Sequence, residues 1–165
     1  MSEISIRHAK PTDFPVIVAL NASEVQHTSV MDQEQLTHLD SIAAYHKVVV
    51  VNERVGAFLL ALRENTNYQS ENYLWFSSHY TSFLYVDRIV VSAEFAGKKL
   101  GSSLYQDLIE FAGSSGVGVL TCEYNVVPPN EPSQRFHSRF GFKEVGSQWL
   151  ANDTKKVSLQ ARRIQ

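Results

Sequence analysis

The chain is poor in the residues that would tie it to a metal, a membrane or an oxidising compartment. It has one cysteine, Cys122, in 165 residues. A single thiol excludes an intrachain disulfide framework, and no Cys or His companions stand at a zinc-ligand spacing from it. Net charge is small: 15 Lys and Arg against 17 Asp and Glu give a formal −2, so no broad field draws in nucleic acid or anionic lipid. Neither a basic stripe nor a groove of interleaved aromatics is present, and both belong to the usual nucleic-acid footprint. No apolar run approaches the roughly 20 residues that cross a bilayer, and MSEISIRHAK has no apolar core of signal-peptide length. We therefore expect a cytoplasmic protein with no membrane or nucleic-acid partner and no bound metal.

What is present reads as an ordinary globular chain, 44% apolar and 19% charged, whose length suits one domain spanning residues 1–165. EISIRHA alternates as a half-buried strand does, and PTD opens a helix over FPVIVALNASEV. Leu36, Leu39, Ile42 and Ala43 recur at intervals of three and four, giving DQEQLTHLDSIAAY one apolar helical face. KVVVV and VGAFLLALR flank the turn NER as a hairpin, ENTNYQSENYLWFSSHY reads as a polar and aromatic loop, and SFLYVDRIVV is a strand. A helix follows from about Lys98, then the strand VGVLTCEY, a short helix EPSQRFHSRF closed by Gly141, and a hairpin of FKEVGSQWL and KKVSLQAR. The order predicts an α/β fold on a mixed, mostly antiparallel twisted sheet of about seven strands flanked by about four helices.

Residues 90–112, VVSAEFAGKKLGSSLYQDLIEFA, pass from strand to helix through two glycines. A helix start offers unpaired N–H groups and partial positive charge, and glycine lets a phosphate approach the backbone. The segment V-S-A-E-F-A-G-K-K-L-G is similar to the acyl-CoA motif V-x-P-x-x-R-G-x-G-x-G of the GNAT superfamily of N-acyltransferases. Gly97 and Gly101 match, Ala96 replaces the usual Gln or Arg, and Lys99 stands at the middle glycine. A second stretch, NEPSQRFHSRFGF, resembles the family's N-x-x-A-x-x-L-Y-x-x-x-G-F, with Asn130, Ser133, Phe136, Gly141 and Phe142 in register and His137 at the tyrosine.

The resemblance implies a GNAT-like fold over nearly the whole chain and transfer of an acetyl group from acetyl-CoA to an amine, on a small molecule or a peptide. It places the pyrophosphate at Ala96, Gly97, Lys98, Lys99, Leu100, Gly101 and Ser102, with Asn130 as a further contact. Backbone groups of Ile89, Val90 and Val91 would hold the pantetheine. Lys98 and Lys99 either replace the missing arginine or are solvated surface lysines. On the strand LYVDRIVV, Tyr85 and Asp87 share a face. Asp87 either takes the acceptor's proton, holding the ammonium and a water, or is salt-bridged to a nearby Arg or Lys. Tyr85 either orients that water or packs. His137 either protonates the departing thiolate or packs between Phe136 and Phe140. The loop from Glu64 to Tyr80 suits a cationic amine by its aromatics and carboxylates, or folds back as a lid or homodimer contact. His8, His27, His38, His46 and His79 show no ligand spacing, and Cys122 reads as a small buried side chain. The departures at Ala96, Lys99 and His137 keep a second function open, an acyl-CoA-binding sensor or assembly module without turnover.

Overall fold

The computed structural model describes residues 3–24 and 28–164, so Val25, at the end of the expected first helix, and His27 lie outside the described residues. Seven strands form one mixed sheet in the order β1-β2-β3-β4-β5-β7-β6. The chain packs as two compact units, residues 1–62 with 86–111 and residues 63–85 with 112–165.

In the first unit, β1 (Ile4–His8) pairs antiparallel with β2 (Tyr45–Val51), and β2 with β3 (Arg54–Arg63). The β2–β3 turn sets Asn52 and Glu53 at φ 49° and 70°, the left-handed pair that matches a two-residue hairpin to strand twist. A 3-10 turn at Pro11–Asp13 leads into α1 (Phe14–Ala22). The Asp13 carboxylate fixes that entry by accepting from Arg7 Nη1 and Nη2 at 2.7 and 2.9 Å and from Lys10 N at 2.8 Å. Asp32 caps α2 (Gln33–Ile42), accepting from Gln35 N at 2.8 Å. The helix α4 (Leu100–Ser114) buries Leu100, Leu104, Tyr105 and Leu108, one stripe at helical spacing.

In the second unit, β7 (Lys155–Arg163) lies between β5 (Val119–Val127) and β6 (Lys143–Leu150), antiparallel to both. The strand β4 (Leu84–Val91) crosses from one unit to the other, and its first residues, Leu84 and Tyr85, pair in parallel with Leu120 and Thr121 of β5. The α5 helix (Glu131–Arg139) is capped by Asn130 and ends at Gly141, φ 84°, as its glycine suggested.

One expectation fails. The stretch 64–80, read as a loop, contains α3 (Glu71–His79). Its serines, aromatics and asparagine are weak helix formers, but burial outweighs propensity here. Tyr73 and Phe76, three apart, are both buried. Trp75 stacks on His79, four apart, at 3.7 Å between centroids. The Tyr73 hydroxyl donates to Arg63 O at 2.6 Å and accepts from Thr66 N and Oγ1 at 3.1 and 2.8 Å, so one phenol fixes the segment before the helix. Gly146 of β6 is the close approach that admits α3, since a Cβ there would stand 2.5 Å from the Trp75 ring.

Candidate active site

The first unit holds the strand-to-helix turn. After β4, a 3-10 turn at Ala93–Phe95 precedes Ala96, Gly97 and Lys98, and α4 begins at Leu100. The turn is tied to β3 at three points. Ser92 N donates to Gly56 O at 2.8 Å, Arg54 Nη2 pairs with Glu94 at 2.6 Å, and Phe95 covers Gly56, where a Cβ would meet its ring at 2.6 Å. Gly97 has φ 86° and nothing within 4 Å of a built Cβ, so its backbone faces open space. Lys99 has φ 59°. The backbone thus keeps a left-handed conformation at the place of the middle glycine although the residue there carries a Cβ, a costly combination. Leu100, Gly101 and Ser102 form the first turn of α4, whose N–H groups have no intrahelical acceptor. Lys98 and Lys99 are exposed beside them. A backbone open at Gly97, a row of first-turn donors and two cations fit a pyrophosphate.

The same unit carries Asp87, Arg88, Ile89, Val90 and Val91 on β4. The Asp87 side chain is 4% exposed, and its Oδ2 accepts from Arg88 Nε at 2.6 Å. The salt-bridge reading of Asp87 is therefore met by its immediate neighbour. Although alternation puts the two on opposite faces, the long arginine folds round to its neighbour, because a buried carboxylate and guanidinium are each costly without a partner.

In the second unit, Tyr85 is 1% exposed among Tyr73, Phe76 and Phe83. It is more than packing: its hydroxyl donates to Glu123 Oε1 on β5 at 2.7 Å. The sequence reading passed over Glu123. Its signal was slight, one carboxylate in the strand VGVLTCEY, and its partner lies on another strand. Glu64, in the segment read either as suited to a cationic amine or as folding back, accepts from Phe83 N at 3.0 Å and from Arg63 Nε at 3.1 Å. Tyr73 and Phe76 are core residues.

His137, on α5, is 5% exposed. Its Nδ1 lies 2.8 Å from Ser133 O and 3.1 Å from Ser133 Oγ. A carbonyl can only accept, so this contact assigns the ring proton to Nδ1. Burial pushes the imidazole below its usual value, against the smaller opposing effect of the Ser133 carbonyl. The ring packs against Tyr124, Phe136 and Phe142. At neutral pH this is a neutral imidazole, a weak proton donor to a thiolate. Asn130 spends its side-chain oxygen on the cap, accepting from Ser133 N at 3.3 Å.

Among the described residues no group of three His, Cys, Asp or Glu could hold a metal ion, and no helix is long and apolar enough to cross a membrane. The profile of the acetyltransferase (GNAT) family matches residues 21–142. No curated protein matches the chain in sequence. Solved structures resemble it throughout. Ard1 from Thermoplasma volcanium has a TM-score of 0.81 at 15% identity, covering 98% of both chains. The ribosomal-protein-S18-alanine N-acetyltransferase of Escherichia coli scores 0.74 at 15% identity, over 98% of this chain and 94% of that one. Naa50 of Arabidopsis thaliana, in complex with the bisubstrate analogue CoA-Ac-MVNAL, scores 0.73 at 13% identity, over 96% and 97%.

Proposed function

The chain belongs to the acetyltransferase (GNAT) family and is an acyltransferase; from that premise we propose that residues 1–165 act as one domain moving an acetyl group from acetyl-CoA to a primary amine. The observation that carries this reading is the turn at 92–102, which keeps left-handed backbone at both Gly97 and Lys99 and leads directly into a helix start. The first-turn N–H groups of Leu100, Gly101 and Ser102 bind the pyrophosphate, with the Lys98 and Lys99 ammonium groups as partners. The backbone of Ile89, Val90 and Val91 holds the pantetheine arm. Peptide amines stand beside small molecules as acceptors, a reading supported by the name of the S18-alanine enzyme with the same fold.

Acetyl-CoA supplies an activated acyl thioester. The protein must bring the amine to it and remove a proton, because an ammonium has no lone pair with which to attack. In the first unit, Asp87 is the carboxylate that attracts the ammonium and takes its proton, directly or through a water; in the second, Glu123, its Oε1 steadied by the Tyr85 hydroxyl, is a second candidate for that proton. The N–C bond forms as the C–S bond breaks. The nitrogen's second proton passes to water, and the departing thiolate takes one from water. His137 contributes packing and the Ser133 bond rather than that proton.

The test is to incubate the protein with acetyl-CoA and each of n-butylamine, spermidine and the peptide Ala-Gly-Gly, and to follow thiol release. Release that needs both acetyl-CoA and an amine is expected. Calorimetric binding of CoA with no release from any of the three would favour the non-catalytic acyl-CoA-binding module.

A further inference from the structure

Arg88 is a buried cation with more partners than charge balance requires. Its side chain is 2% exposed, and its Nε donates to Asp87 Oδ2 at 2.6 Å. The rest of the fork turns to the loop between α1 and α2. Nη1 donates to Asn21 Oδ1 and to Ser29 O, both at 3.1 Å, and Nη2 to Ser29 Oγ at 3.1 Å. Asn21, fully buried in α1, reinforces the same point: its Nδ2 donates to Ser29 O at 2.9 Å, and its Oδ1 accepts from Thr28 Oγ1 at 2.9 Å. Thr28 N in turn donates to Glu24 O at 3.0 Å.

Desolvating a guanidinium is expensive, and well-packed apolar residues often serve stability as well. What the planar fork adds is geometry, since one rigid group grips a carboxylate, an amide oxygen, a carbonyl and a hydroxyl together. We infer that Arg88 is a positioning residue, which moors Thr28 and Ser29 beside Asp87 and so fixes where this loop stands toward the acceptor amine. The inference rests on the acetyl-transfer reading above for its acceptor, but the mooring is observable without turnover.

Three variants of the full-length protein test it, Arg88→Lys, Ser29→Ala and Asp87→Asn. Lysine keeps a cation near Asp87 but loses the fork. In Arg88→Lys, amide hydrogen exchange at Thr28 is expected to quicken by about tenfold or more, with α4 amides unchanged. Ser29→Ala should show a smaller effect of the same sign, and Asp87→Asn none at Thr28. With the fastest amine of the three above, Arg88→Lys is expected to raise the acceptor KM about tenfold and leave the acetyl-CoA KM within about twofold. Unchanged exchange at Thr28 in Arg88→Lys overturns the mooring. Faster exchange with an unchanged acceptor KM overturns its link to the acceptor. If the wild-type protein releases thiol with none of the three amines, the acetyl-transfer reading fails for them, while the exchange comparison still decides the mooring.

Discussion

The two units each hold a carboxylate in a hydrogen bond, and they do so with opposite chemistry. In the first, Asp87 meets the cation Arg88 at 2.6 Å. In the second, Glu123 meets the neutral hydroxyl of Tyr85 at 2.7 Å. A guanidinium brings a positive charge to the carboxylate, whereas a phenol brings a hydrogen bond to one oxygen. The first unit also carries the turn at 92–102 proposed to bind the pyrophosphate. The second carries Tyr85 and Glu123, the pair proposed to take up the acceptor's proton. Substitutions at the turn and at Glu123 should therefore fail in different ways, one losing affinity and the other turnover.

The largest effect is expected from Gly101→Glu, which puts bulk and negative charge at the first turn of α4. CoA affinity should fall about 100-fold or more while circular dichroism shows the fold retained. Undiminished affinity by calorimetry would move the cofactor elsewhere. Next comes Glu123→Gln, which should lower kcat about 100-fold and leave CoA affinity within about twofold. Raising pH should recover part of the loss, because more acceptor amine is then already neutral. Asp87→Asn should cost less, about tenfold, with the same recovery. If Asp87→Asn proves the more damaging, the contrast between the two carboxylates is the wrong way round.

A smaller effect separates stability from activity. His46 in the first unit and His137 in the second are both buried, and burial lowers each below the usual 6.5. For His46, Asp40 at 2.7 Å opposes the shift without reversing it. A lowered folded value means that the unfolded chain binds more protons between that value and 6.5, so stability falls as pH drops through this window. Melting temperature should decline from pH 7 towards 5, and His137→Phe should flatten the decline. Turnover of His137→Phe should stay within about threefold of wild type. A larger loss, restored by His137→Tyr, would return the thiolate's proton to this position. Smallest of all, Lys99→Gly should relieve the left-handed strain and raise stability by about 0.5 to 1 kcal/mol in denaturant titration. CoA affinity should drop slightly with the lost ammonium.

The strands were legible in the sequence because EISIRHA, KVVVV, VGAFLLALR and SFLYVDRIVV each carry period-two or continuous apolar patterns bounded by turn residues. The helix α3 was not, because its evidence is tertiary: Tyr73 and Phe76 are buried and Trp75 lies against a glycine of β6. The strand-to-helix turn at 92–102 was legible from its glycines, but Lys99 hid the backbone, which stays left-handed under a residue that disfavours it. Asp87 stood out because the resemblance implies acid and base groups on its strand, and its partner, Arg88, is the next residue along. Glu123 did not, since what distinguishes it is a hydroxyl 38 positions away. Chemistry made by adjacent residues is readable in a chain, whereas chemistry made by strand pairing needs the register.

The sheet of the second unit also sets an order of assembly. The strand β7, made after both β5 and β6, is an inner strand, bonded to β5 on one side and β6 on the other. During synthesis, therefore, β5 and then β6 leave the ribosome before the strand that joins them exists. Until residues 155–163 follow, neither β5 nor β6 has β7 to pair with, and open edges of this kind invite pairing with other chains. Loss of residues 155–163 would remove the seam of this sheet rather than a fringe. A nascent chain stalled before Lys155 should be a client for chaperones, while completion of β7 closes both edges in a single step.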